Sequence, residues 1–188
     1  MNRKLSACRL PLLALAVSFL SLFQAQAQCK PPANQTPPLS PAAQASVTLN
    51  GKSVTVDYCT PSLKGRQIGK EIVPYDKVWR TGANTATTLK TETNLRIGNL
   101  SVPAGTYTLY TLPSAQGWKL IVNKQTGQWG TVYNEAQDLG RVEMRQVAMT
   151  SPPVETFKIS FENTAGKKTE LHLIWGNTNV FVPIAATD

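Results

Sequence analysis

Histidine is nearly missing from this chain: His172 is the only one in 188 residues. A histidine-rich metal centre is therefore excluded, and the few cysteines could not hold a structural zinc without unusual partners. A Ser–His–Asp triad would have to use His172, yet no Gly-x-Ser-x-Gly elbow is present. The Gly-x-Gly-x-x-Gly fingerprint is absent as well. Gly65-Arg66-Gln67-Ile68-Gly69-Lys70-Glu71 is one residue short of a phosphate loop and ends in Glu71 where Ser or Thr would hold magnesium. No Cys-x-x-Cys redox pair occurs. We therefore expect neither cofactor nor metal. His172 itself reads as a half-exposed strand residue, facing away from Leu171, Leu173 and Trp175.

Long apolar runs are also scarce. The stretch 10–23 is about 14 residues long, short of the roughly 20 that span a bilayer. Arg3, Lys4 and Arg9 precede or open it, and Ala25-Gln26-Ala27 follows. This is the pattern of a secretion signal, 1–27, cut after Ala27. Gln26 and Gln28 do not fit a lipoprotein signal around Cys29. The expected product is exported, periplasmic or extracellular, and does not span the membrane. It carries 16 basic and 11 acidic residues, a net charge of +5. The basic residues are scattered, with Lys167-Lys168 the one adjacent pair after the signal. Without a basic stripe or a recognition helix, nucleic acid is not an expected partner.

Two cysteines remain after cleavage, Cys29 and Cys59. Export permits a disulfide. Pairing would close a loop of about 30 residues and contribute roughly 3–4 kcal/mol in the chain-entropy model. Two free thiols, or pairing of Cys29 with another molecule, are the alternatives. Residues 28–43 contain Pro31, Pro32, Pro37, Pro38 and Pro41. Proline lacks a backbone donor and restricts its predecessor, so this leader reads as stiff and extended. The folded domain is expected over 44–188.

What is abundant is β pattern. Residues 46–50 and 52–59 flank Asn50-Gly51, a tight hairpin turn. Further strands are expected at 87–93, 95–97, 106–112, 118–123, 128–133, 140–148, 154–162, 169–175 and 180–184, with one helical turn at 134–139. Phe157, Ile159 and Phe161 on one arm of the last hairpin match Leu171, Leu173 and Trp175 on the other, so all six are expected in the core. About ten short strands and no long helix give an all-β class, an antiparallel β-sandwich or jelly-roll-like fold.

The most informative segment, Val73 to Thr88, is irregular and lies between two strands; it belongs to a longer ordered block. It runs Tyr58-Cys59-Thr60-Pro61-Ser62-Leu63-Lys64-Gly65-Arg66-Gln67-Ile68, then Val73-Pro74-Tyr75, then Val78-Trp79-Arg80-Thr81-Gly82-Ala83-Asn84 and Ala86-Thr87-Thr88. Pro103-Ala104-Gly105-Thr106-Tyr107 follows. This ordered set resembles an exported bacterial family known as domain of unknown function 2911, from about residue 40 to 184. The Val-Trp-Arg-Thr-Gly-Ala-Asn run is the specific part. The resemblance implies a β-rich exported domain and brings no established activity. The family usually has Ser-Arg-Pro where this chain has Cys59-Thr60-Pro61, a departure that removes an arginine and favours pairing of Cys59 with Cys29.

From the residues themselves, Trp79 offers a flat apolar face. Arg66 and Arg80 offer planar forks for a carboxylate or phosphate. Tyr75, Thr81, Asn84, Thr87 and Thr88 supply polar groups. Together they read as a binding pocket for a small molecule, a glycan or a peptide. The alternative is that Trp79 plugs the sandwich end and Arg80 binds loop carbonyls or an acid such as Asp57. Three functions follow: a non-catalytic binding domain, a glycan hydrolase using two of Asp57, Glu71, Asp76, Glu135, Asp138 and Glu143, or a structural domain of the cell envelope.

Overall fold

A computed structural model describes Cys29, residues 40–149 and residues 152–187. The expected signal segment and most of the expected leader, 28–43, lie outside the described residues. Twelve strands form two antiparallel sheets packed as a sandwich. The first sheet contains, in spatial order, β1 (Ala42–Leu49), β2 (Lys52–Cys59), β3 (Thr87–Thr91), β6 (Gly105–Pro113), β7 (Trp118–Asn123) and β8 (Asp138–Glu143). The second contains β10 (Val154–Ala165), β11 (Lys168–Gly176), β12 (Thr178–Thr187), β4 (Asn94–Ile97) and β5 (Leu100–Val102), with short β9 (Arg145–Gln146) paired to β12. Among the described residues no helix is long and apolar enough to cross a membrane.

Period-two patterning makes the core. Val54, Val56 and Tyr58 from β2 and Leu89 from β3 face Phe157, Ile159, Leu171, Leu173 and Trp175 from the other sheet, all buried. Asn50 and Gly51 turn the first hairpin with positive φ at both positions, as a tight two-residue turn requires. The helical turn is a single 3-10 turn at Glu135–Gln137, capped by the Asn134 side chain.

Four expectations need correction. Residues 128–133 do not form a strand. They belong to a loop over the outer face of β6, touching the segment just before β3 through one bridge between Thr85 and Trp129. That loop covers Thr108 and Tyr110, which donate to Gln125 O and Val132 O, so β6 is buried on both faces. The stretch 140–148 is two strands, β8 and β9, with Met144 between them. Phe161 is only partly buried, because it lies on edge strand β10 just before a register shift at the hairpin tip. His172 is buried rather than half-exposed. Its ring stacks on Phe181 at 4.9 Å, with nitrogens 2.9 Å from Asn179 Oδ1 and 3.1 Å from Glu170 Oε2.

Candidate functional site

Residues 60–86 connect β2 to β3 by way of both sheets. Leu63 N–H donates to Glu155 O and Phe157 N–H to Pro61 O, which ties the connection to β10. Trp79 exchanges both backbone hydrogen bonds with Thr111 on β6, at 2.8 and 2.9 Å. The segment is thus pinned across one end of the sandwich. Trp79 fills that end. Its ring stacks on Trp175 (5.7 Å between centroids, 15° between planes) and meets Phe157 and Trp118 edge-on at 5.1 and 6.2 Å. These geometries favour aromatic packing, so the Trp79 face is largely committed to the protein.

The turn after it is held from behind. Cys29 and Cys59 are bonded, with Cα atoms 5.8 Å apart, and Ala83 packs against the pair. Ala83 N–H donates to Cys59 O. Thr81 Oγ1 lies 3.3 Å from Thr111 Oγ1, and Thr87 Oγ1 donates to Thr81 O at 2.7 Å. A Cβ on Gly82 would come within 3.0 Å of Thr87 Oγ1 and 3.1 Å of Cys59 O, so glycine permits the close approach. Two β-branched residues adopt left-handed backbone here, Val73 at φ 50° and Thr81 at φ 55°. Each such conformation costs about 1–3 kcal/mol and concentrates at functional sites.

In front of this turn lies a cavity of about 460 Å³. Arg66, Trp79, Arg80 and Asn84 all line it, with Ser40, Ser62, Lys64, Val73 and Trp175 among the other walls. The structure therefore brings together four of the eight residues singled out from sequence. Tyr75 lies apart, half-exposed against Gly69. Thr81 and Thr87 are buried behind the turn, and Thr88 donates to Ala86 O. Their hydroxyls serve the backbone, a competition that Thr side chains commonly win in irregular segments.

Arg80 is the unusual member. It is partly buried, and its Nε is closed off from solvent without a hydrogen-bond partner. Burial pushes its pKa below the ordinary arginine value, and no neighbouring acid opposes that shift. Asp57, the acid named in the alternative reading of Arg80, instead receives Lys90 Nζ at 3.0 Å and Gln44 Nε2 at 2.6 Å. Arg66 is anchored differently: Nε and Nη2 each donate, at 2.9 Å, to the carbonyls of Leu63 and Ser62. Sequence reasoning missed Gly130. A Cβ there would lie 2.5 Å from Arg80 Cδ and 2.6 Å from Asn84 O, so the absent side chain makes the seat for the arginine stem. Gly130 N–H also donates to Asn84 O, at 3.0 Å. Only the folded loop reveals this, since 46 positions separate the two partners.

The profile of the family described as Protein of unknown function (DUF2911) matches residues 40–184. The chain belongs to this family. The match covers both sheets and every wall of the cavity. No curated protein and no solved structure matches the chain. Among the described residues, no cluster of His, Cys, Asp and Glu could hold a metal ion.

Proposed function

We propose that this member of the family is an exported, non-catalytic binding domain that takes a small glycan or peptide ligand in the cavity beside Arg80. One observation carries the reading. Arg80 lines a cavity with no hydrogen bond or ion pair to a described residue, and its Nε is buried without a partner. Proteins rarely leave a buried donor of a charged group unsatisfied, because its lost hydration is costly. A ligand that supplies the missing acceptors accounts for it. The aromatic cluster under Trp79 keeps the cavity floor rigid, and the bonded cysteines brace its wall from behind.

Hydrolysis by two carboxylates draws no support from this cavity, since neither Asp nor Glu is among its lining residues. Five of the six acids considered for it are engaged elsewhere: Asp57 with Lys90, Asp138 and Glu135 with Arg141, Glu143 with Lys119, and Glu71 with the Gln67 N–H. A structural role is favoured for Trp79 and the threonines individually.

The test is a thermal-shift screen of the processed protein against envelope glycans and short peptides, run beside Arg80→Ala. A ligand that binds only the folded state raises Tm by mass action. At least one compound should raise the Tm of the wild type and leave the variant unmoved. Equal shifts in both proteins, or none in either, would contradict the reading.

A further inference from the structure

Building on that binding role, we propose that the ligand is anionic and sets a compact oxyanion, a carboxylate, phosphate or sulfate group, among Arg80, Arg66 and Lys64. These three cations line one cavity, and no acid lines it with them. Three cations elsewhere in the molecule meet acids. Among the described residues Lys90 meets Asp57, Lys119 meets Glu143, and Arg141 meets both Glu135 and Asp138. None of the three cavity cations has such a partner.

Glu71 and Glu155 interact with residues of this cluster, yet neither is among the cavity walls. Glu71 accepts the Gln67 N–H at 2.9 Å, although its carboxylate still senses Lys70 and Arg66. Glu155 accepts the Lys64 backbone N–H at 2.8 Å. Arg66 is held by backbone carbonyls, which fix its position without cancelling its charge. The Nε–Nη2 edge is taken by those carbonyls, so a ligand would meet the remaining Nη protons of a side chain already oriented, and little rotamer freedom is lost on binding. Ser62 and Asn84 add polar groups to the same wall.

A neutral sugar or an amide would offer acceptors to these groups but would leave three positive charges uncompensated. An oxyanion supplies both acceptors and countercharge, and charge-assisted bonds to arginine are the stronger kind. The Gly130 seat fits the same purpose. It lets the Arg80 stem pack against the backbone and holds the guanidinium at the cavity. A Cβ at position 130 would push the stem aside while keeping its charge.

The experiment is an NMR titration of the isotope-labelled processed protein with sodium acetate, phosphate and sulfate, each matched to sodium chloride at equal ionic strength. The amides of Gly82, Ala83 and Asn84 and the indoles of Trp79 and Trp175 report on the cavity. At least one of the three anions should give saturable shifts at these positions that chloride does not. Arg80→Gln should weaken that binding by about tenfold or more, the loss of a charge-assisted bond. Gly130→Ala should weaken it too, and Arg80→Lys should retain part of it. No anion-specific shift in the wild type overturns the proposal, as does Arg80→Gln titrating like wild type. The wild-type map decides even if a variant fails to fold. Neutral glycosides and C-terminally amidated peptides are then added to the same sample. Shifts at the same residues would keep the binding role and discard the anion, whereas silence from every compound would discard both.

Discussion

Arg141 and Arg80 present the same chemical group in opposite circumstances. Arg141 is exposed, yet its guanidinium reaches Glu135 at 2.6 Å, Asp138 at 3.0 Å and the Tyr133 hydroxyl at 2.9 Å. Desolvation pulls its pKa down, but the bonds to Asp138 and Tyr133 outweigh that and hold it above the ordinary value. Arg80 is less accessible and has none of these partners. All the partners of Arg141 come from residues 133–138, a short local circuit. Arg80 is followed by a turn of threonines, glycine, alanine and asparagine that offers no countercharge. The contrast teaches that pairing a surface arginine is within reach of this chain. Beside the cavity Arg80 has no such pairing among the described residues, which is the basis of the binding role proposed above.

The largest expected effect falls on the floor of the cavity. Trp79→Ala should cost about 3–5 kcal/mol in denaturant unfolding, the range for truncating a packed aromatic. A variant that stays fully stable while ligand binding disappears would move Trp79 from the packing side of the comparison to the ligand side. Next comes the brace. Replacing Cys29 and Cys59 together by Ser should cost about 3–4 kcal/mol through the freed loop of about 30 residues. Hydrogen exchange should rise first at Ala83, which packs on the bond, and later at the Arg141 cluster. Simultaneous loss of protection at both places would show that the two regions open as one unit.

A smaller effect sharpens the Arg141 side. Desolvation first, then the hydrogen bond to Asp138, pushes the Tyr133 pKa up from 10.0 to about 12. The neutral phenol is the form that the fold favours. Its stabilisation is complete below about pH 10 and is lost as pH rises through about 12. The urea midpoint of wild type should therefore fall across this window more steeply than that of Tyr133→Phe. Parallel curves would show that folding does not raise the Tyr133 pKa.

Much of the frame was legible in the residues because strands write themselves at period two. The edges of β2 and β7 coincide with the alternation in 52–59 and 118–123, and the last hairpin pairs as its apolar residues imply. The irregular segment around Trp79 stood out because its Pro, Gly and hydroxyl content fits no ladder. What period two cannot convey is what covers a sheet. His172 looked half-exposed, but Phe181, Glu170 and Asn179 close over it. Residues 128–133 are rich in strand formers, yet they lie across β6 through Val132 O and the Gln128 amide rather than along a ladder. The threonines of the site looked available because their backbone partners are set by the turn itself. The short strand β5 escaped notice because three residues carry too little pattern.

The most direct test of the account is the unfolding free energy of Arg80→Met beside Arg141→Met. Methionine keeps much of the arginine stem and removes the charge, which separates packing from electrostatics. Arg141→Met should lose about 1 kcal/mol, as a small exposed network does. Arg80→Met should be as stable as wild type or more so, because it removes an unpaired, partly buried cation, and it should lose ligand binding. A loss of about 3 kcal/mol or more in Arg80→Met would mean that the guanidinium satisfies the protein itself, and the binding role assigned to it would be wrong.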